Sequence, residues 1–182
     1  MDTQKPTQYK KRSRYDGHKL QLLHDFRLLL ILIIAVFLVF RFVIGFSAVS
    51  GVSMLNTLHN GEMVFYTRIN GELTHGDVIS VRIPTGEYYI NRVIAVGGDT
   101  VDLRDGVIYV NGVAEEGDYI RGTTLAEGGA FSYPFTVPEG DLFVLGDNRE
   151  ESVDSRSFGC VSARQIKGVV RFSFGLFYVH LM

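Results

Sequence analysis

Thirteen apolar residues, 28-LLLILIIAVFLVF-40, run without a break near the start of this chain. Arg41 interrupts them and FVIGF carries the run to Phe46. A helix needs ~20 residues to cross the hydrocarbon core of a bilayer. The span 27–46 is long enough if Arg27 and Arg41 reach for the headgroups at its two ends. A cleaved signal peptide is the competing reading, because SAVSG follows the run, but its apolar core would be shorter. A buried core helix would need a polar second face, and none is present. The run therefore reads as an uncleaved anchor.

Charge sets the orientation. Residues 1–27 hold seven basic side chains (Lys5, Lys10, Lys11, Arg12, Arg14, Lys19, Arg27) against Asp2, Asp16 and Asp25. The remaining chain holds eleven basic and seventeen acidic residues. Arg41 is the one basic residue between the run and Arg68. The positive-inside rule places the N-terminus in the cytoplasm and the chain from about residue 47 on the outer face. The expected organisation is a basic tail 1–26, a membrane helix 27–46 and an extracytoplasmic domain 47–182. No basic block lies in that domain, which argues against a nucleic-acid partner.

The outer segment reads as β. Short Val/Ile/Tyr/Phe-rich stretches (EMVFYTRI, DVISVRI, EYYINRVIAV, DTVDL, VIYVNG, DLFVLG, VVRFSF) alternate with Gly and Asp turns. Asp105-Gly106 marks a tight hairpin. The spacing predicts a barrel- or sandwich-like β domain after a single membrane helix. Segment 116–136 reads as a surface loop. The one cysteine, Cys160, excludes an internal disulfide and any multi-cysteine metal site.

Three clusters could carry chemistry: Ser53-Met54 in a Gly/Ser turn just after the anchor, the strand 88-YYINRVIAVGGD-99, and the loop 146-GDNREESVDSRSFG-159. The loop's acids are spaced somewhat like a calcium loop, but it lacks the turn glycine and carries two arginines that would repel a cation. It reads instead as an ordered frame of Arg–carboxylate and side-chain-to-backbone bonds. No metal or cofactor is expected.

Taken in order, these elements resemble the type I signal peptidases: anchor, S-G-x-S-M at 50–54, G-D-V at 76–78, Y-I-x-R-V-I at 89–94, then G-D-N-R-x-x-S-x-D-S-R-x-x-G from Gly146 to Gly159. The resemblance covers the chain from the anchor to about Phe174. It implies a membrane-bound serine endopeptidase that removes signal peptides from secretory pre-proteins at the outer face. It also implies Ser53 as nucleophile, Ser152 as the hydroxyl orienting the base, Asp154 with Arg156 as a supporting pair, and Asp147 and Arg149 holding the loop. Met54, Leu58, Tyr89 and Ile90 correspond to substrate-binding positions. Phe42, Val43, Ile44 and Phe46 are expected to help the domain sit on lipid.

One position departs. The family's general base is a lysine, and here that position is Asn91. A carboxamide is neutral and nearly non-basic, so it cannot take the serine proton. Neither His59 nor His75 occupies the equivalent position, and Lys167 falls on a late strand. Asn56 stands where the family has proline, a milder change. The alternative function is therefore an inactive relative that holds extended peptides as a chaperone or assembly factor for a surface polymer such as a pilus.

Overall fold

The computed structural model describes residues 14–68, 71–126, 129–175 and 179–181. It falls into two units, residues 1–40 and 41–182. Most of the first unit is helix α1, Arg14–Phe42. From Leu20 to Phe42 its apolar side chains are exposed on every side. A helix apolar all round needs an apolar medium. Residues His18–Phe42 are long and apolar enough to cross a membrane. The helix starts earlier than the span expected from the run and stops four residues sooner. Of the tail 1–26, residues 1–13 lie outside the described residues.

Strand pairing stops the helix. Ile44–Ala48 forms β1 against β2, Met63–Thr67, with Phe46 opposite Phe65 and their rings 6.4 Å apart. Gly45 lies so close to the Tyr66 ring that a Cβ there would overlap it. The main sheet continues with β3 (Val78–Arg82) and β4 (Tyr88–Val96). A small sheet follows, built from β5 (Thr100–Arg104), β6 (Val107–Val110), β7 (Val113–Ala114) and β8 (Phe135–Thr136). The chain returns to the main sheet through β9 (Asp141–Leu145), a four-residue helix α2 (Ser155–Phe158), β10 (Val161–Ser162), β11 (Ile166–Phe174) and β12 (Val179–Leu181). The main sheet runs β1-β2-β11-β3-β4-β9-β10 with β12 also on β11, and the small one runs β7-β6-β5-β8. Every strand pair in both sheets is antiparallel. This is the β domain after a single apolar helix that the alternating segments predict.

The Asp105-Gly106 hairpin forms between β5 and β6, both residues at positive φ (48° and 81°), as its two-residue turn requires. Three buried apolar clusters make the core, one of which holds Met54, Leu58, Tyr66 and Val78 with Ile90 packed against it. Cys160 is half-buried, and burial, aided by the Asp141 charge, pushes its thiol pKa up to about 11. Iodoacetamide should therefore modify Cys160 about a hundredfold more slowly at pH 8 than a free thiol of pKa ~8.5, because only the thiolate reacts. The rate, followed by mass spectrometry, should climb nearly tenfold per pH unit from 8 to 10. A plateau above pH 9 would contradict the buried environment.

Candidate active site

Ser53 sits half-buried in the turn after β1, where Leu55 N donates to Val52 O (3.2 Å) and Leu58 N donates to Met54 O (2.7 Å). The turn is tied to the 146–159 loop from two directions. Asn148 N donates to Ser53 O at 2.9 Å, and Asn148 Nδ2 donates to Val52 O at 3.1 Å. Gly146 completes this contact: a Cβ there would collide with Ser152 Oγ and lie 2.7 Å from the Ser53 carbonyl oxygen. Any side chain at 146 would therefore displace Ser152 or the Ser53 carbonyl.

The loop is a frame of buried ion pairs. Asp147 accepts from Arg92 Nε (2.8 Å) and Nη2 (2.6 Å) and from the Thr57 hydroxyl. Arg92 also donates to Gly76 O (3.0 Å), which gives the G-D-V stretch its place in the site. Burial works against the Arg92 charge, but the hydrogen bonds and charge of Asp147 more than offset it, so its pKa lies above the ordinary value. Asp154 caps α2 and pairs with Arg156 through two 2.8 Å bonds, while its Oδ2 accepts from Gly146 N. Arg149 makes a bidentate pair with Glu115 (2.7 and 2.8 Å), both side chains about 1 % exposed.

Sequence reasoning placed Asp154 with Arg156 but missed Arg92, Thr57 and Glu115 as partners. Glu115 lies 34 residues from Arg149 and no local pattern points to it. The 116–136 segment, expected as a plain surface loop, supplies part of the frame. Arg121 N donates to Asp147 O and Arg149 N donates to Arg121 O, both at 2.8 Å. Asn56 Nδ2 donates to Asp118 O (3.3 Å), a bond that a proline there could not make. Asp147 and Asp154, which give this loop its acidic spacing, are each paired with an arginine. Among the described residues no group of three or more potential metal ligands occurs.

Asn91, on β4 opposite Ile79, is fully buried. Its Nδ2 donates a long 3.4 Å bond to Val153 O, and its Oδ1 has no partner. Ser152 Oγ is likewise buried without a hydrogen bond. Buried polar atoms are nearly always paired, so these two orphans leave hydrogen-bonding capacity unused here. A Lys ammonium carries three donors and could satisfy acceptors that a carboxamide leaves open.

A groove of about 260 Å³ opens beside Ser53, walled by Ala48, Met54, Ser80, Tyr88, Tyr89 and Ile90. Leu58 is wholly buried in the core cluster and does not line it. Among the described residues no lysine or histidine lines the groove. His59 is instead hydrogen-bonded through Nδ1 to Glu62 (2.9 Å), and His75 lines a separate depression with Val110 and Glu116.

A model of the family described as "Signal peptidase, peptidase S26" matches residues 22–175. The chain belongs to this family. It is 35 % identical to signal peptidase IB of Staphylococcus aureus, over 78 % of this chain and 83 % of that protein. It is 37 % identical to signal peptidase I of Bacillus licheniformis, over 69 % and 74 %. A crystal structure of a signal peptidase I from Enterococcus faecalis aligns with 56 % of this chain and 98 % of that one, at 33 % identity and a TM-score of 0.47. The chain is thus a signal peptidase I homologue of the serine-type endopeptidase family, carrying an N-terminal helix able to span a membrane.

Proposed function

We propose that this chain holds the extended segment of secretory signal peptides in the groove beside Ser53, at the outer face of the membrane, and does not turn them over at the family's rate. In this reading the N-terminus is cytoplasmic. Two free strand edges support peptide binding. β4 pairs with β9 only from Arg92 onward, so its Tyr88–Asn91 stretch has one open edge, and β1 is terminal in its sheet. Both stretches reach the groove, so a peptide laid between them gains main-chain hydrogen bonds on either side.

One observation carries the reading of impaired chemistry: the base position is Asn91, buried and half-unsatisfied, with no amine or imidazole in the groove wall among the described residues. Attack on a peptide carbonyl requires the Ser53 hydroxyl to lose its proton as the bond forms. The carboxamide cannot accept it, nor can it reprotonate the leaving amine. What is left is positioning and stabilisation of the oxyanion, which alone gives slow catalysis.

Binding of a fluorescent signal-peptide analogue to the full chain in micelles tests this. Ser53→Ala should leave the affinity within twofold, whereas Ile90→Asp should weaken it at least tenfold. Equal affinity for the parent and Ile90→Asp would remove the groove as the binding site. The fully assembled frame favours a second reading, a working peptidase with a base brought from elsewhere. That reading requires measurable cleavage by the parent that Ser53→Ala abolishes.

A further inference from the structure

One face of the main sheet runs from the groove to a pair of cations. Tyr66 of β2 shares a core cluster with Val49 and Met54, against which Ile90 packs, and those three residues also line the groove. Side chains two apart on a strand share a face, so Arg68, directly after β2, lies on the Tyr66 side. Its guanidinium is 5.2 Å from the centre of that ring. Lys167 of β11 reaches the same ring, with Nζ 5.3 Å from its centre, and also Tyr88, whose ring centre is 4.5 Å away. Tyr88 is 52 % exposed and lines the groove. Lys167 therefore stands at the groove's Tyr88 end, against a ring that a bound peptide would meet.

Neither cation has a counter-charge. Among the described residues neither takes part in an ion pair, whereas Arg92, Arg149 and Arg156 are each paired with a carboxylate. Both are half-buried, and Arg68 Nε is shielded from water without an acceptor among the described residues. Glu87 also borders the groove, but its carboxylate accepts from the Thr85 (3.2 Å) and Tyr89 (3.5 Å) hydroxyls. Tyr89 packs against the Ile79–Val81 cluster, a different one from that of Tyr66, as strand alternation requires. Glu87 is thus turned away from the Tyr88 side. The two rings attract the cations but leave their charge in place.

The groove says what brings the anion. Its walls are open strand edges, which bond the main chain of an extended peptide and leave the side chains to be read by what lies beside them. Tyr88 precedes Asn91 by three residues on β4, about 10 Å at ~3.3 Å per residue. An extended peptide with a carbonyl at Ser53 passes the cations three or four residues away. Its side chains alternate, so only one of those two positions turns toward the cations. An Asp or Glu carboxylate there would meet donors that the fold leaves open.

We infer that Lys167 and Arg68 select an acidic side chain three or four residues from the one whose carbonyl sits at Ser53. This rests on the reading that the groove holds extended peptides, and it adds which peptides are held best. Lys167, against the groove-lining ring, contributes more than Arg68.

The test measures Kd for the full chain in non-ionic micelles. The probe is a fluorescent signal-peptide analogue of neutral sequence, with single Asp, Asn or Lys substitutions at each of four positions on either side of its cleavage site. At one position three or four residues from that site, Asp should bind at least about fivefold tighter than Asn, and Lys more weakly than Asn. The Asp preference should fall below about twofold in Lys167→Gln and shrink in Arg68→Gln, and Lys167→Glu should reverse the order of Asp and Lys. Each ratio compares peptides on one protein, so a general loss of affinity in a variant does not mimic it. If the neutral peptide binds but no position favours Asp, the selection is overturned and the groove reading stands. A preference for Lys would assign this end of the groove to Glu87 and overturn the selection too. So would an Asp preference undiminished in both Lys167→Gln and Arg68→Gln. Failure of the neutral peptide to bind the parent, or its equal binding to Ile90→Asp, is instead failure of the groove reading, and the selection falls with it.

Discussion

Asn91→Lys is expected to raise cleavage of a secretory pre-protein in micelles by three to four orders of magnitude over the parent, since a nucleophile and its base act as a unit. The frame that must receive the amine is complete. Gly146 leaves no room for a side chain against Ser152 and the Ser53 carbonyl, and Asp147, Asp154 and Arg149 are fixed by buried pairs. Two polar atoms, Asn91 Oδ1 and Ser152 Oγ, stand without partners there. A lysine at this fully enclosed position would be desolvated, and desolvation lowers an amine's pKa from ~10.4. The neutral amine is the base, so activity of the variant should rise with pH until that amine is deprotonated. Asn91→Gln, close to lysine in length but without a basic nitrogen, should gain nothing. If Asn91→Lys binds peptide as the parent does yet stays inert, the defect is not confined to the base. Ser53-dependent cleavage by the parent itself would show that a base reaches the site from outside the groove wall.

The fold was legible because its signals are local. Alternating apolar residues and Gly/Asp turns repeat at every strand, and one Asp-Gly dipeptide fixes a hairpin by backbone conformation alone. The end of the helix was less legible. Apolar residues serve a membrane helix and a sheet equally, so Ile44 and Phe46 read as anchor although pairing with β2 claims them. In the candidate site, contiguous motifs marked Ser53, Asn91 and the 146–159 loop. Partners drawn from distant loops did not show, since an ion pair between residues 115 and 149 has no sequence spacing to betray it. Why asparagine in particular stands at 91 has no explanation in the structure.

Glu115→Ala should be the most damaging single change outside the core, lowering stability by about 3–5 kcal/mol, because removing one partner leaves the other charge buried and unpaired. Arg149, about 1 % exposed, would keep only the Thr124 hydroxyl (3.2 Å) and the Gly146 carbonyl (3.1 Å). Those neutral acceptors cannot offset a desolvated guanidinium. The damage should reach Ser53, because Arg149 Nε donates to Gly146 O in the same loop whose Asn148 N donates to the Ser53 carbonyl. A spectroscopic reporter sits in the network. Burial, then the Glu115 charge and hydrogen bond, push the Tyr119 hydroxyl up to about 12. A raised tyrosine pKa means the folded state favours the neutral phenol, so that contribution is present below pH ~10 and is lost as pH climbs toward 12. Glu115→Gln keeps the shape and removes the charge, so it should move the Tyr119 titration down toward its ordinary value while destabilising less than Glu115→Ala. Ultraviolet titration of the phenolate and urea denaturation in micelles would check both. An unchanged Tyr119 titration together with parent-like stability would mean that Glu115 and Arg149 do not support this loop, and the frame around Ser53 would then rest on Asp147 and Asp154 alone.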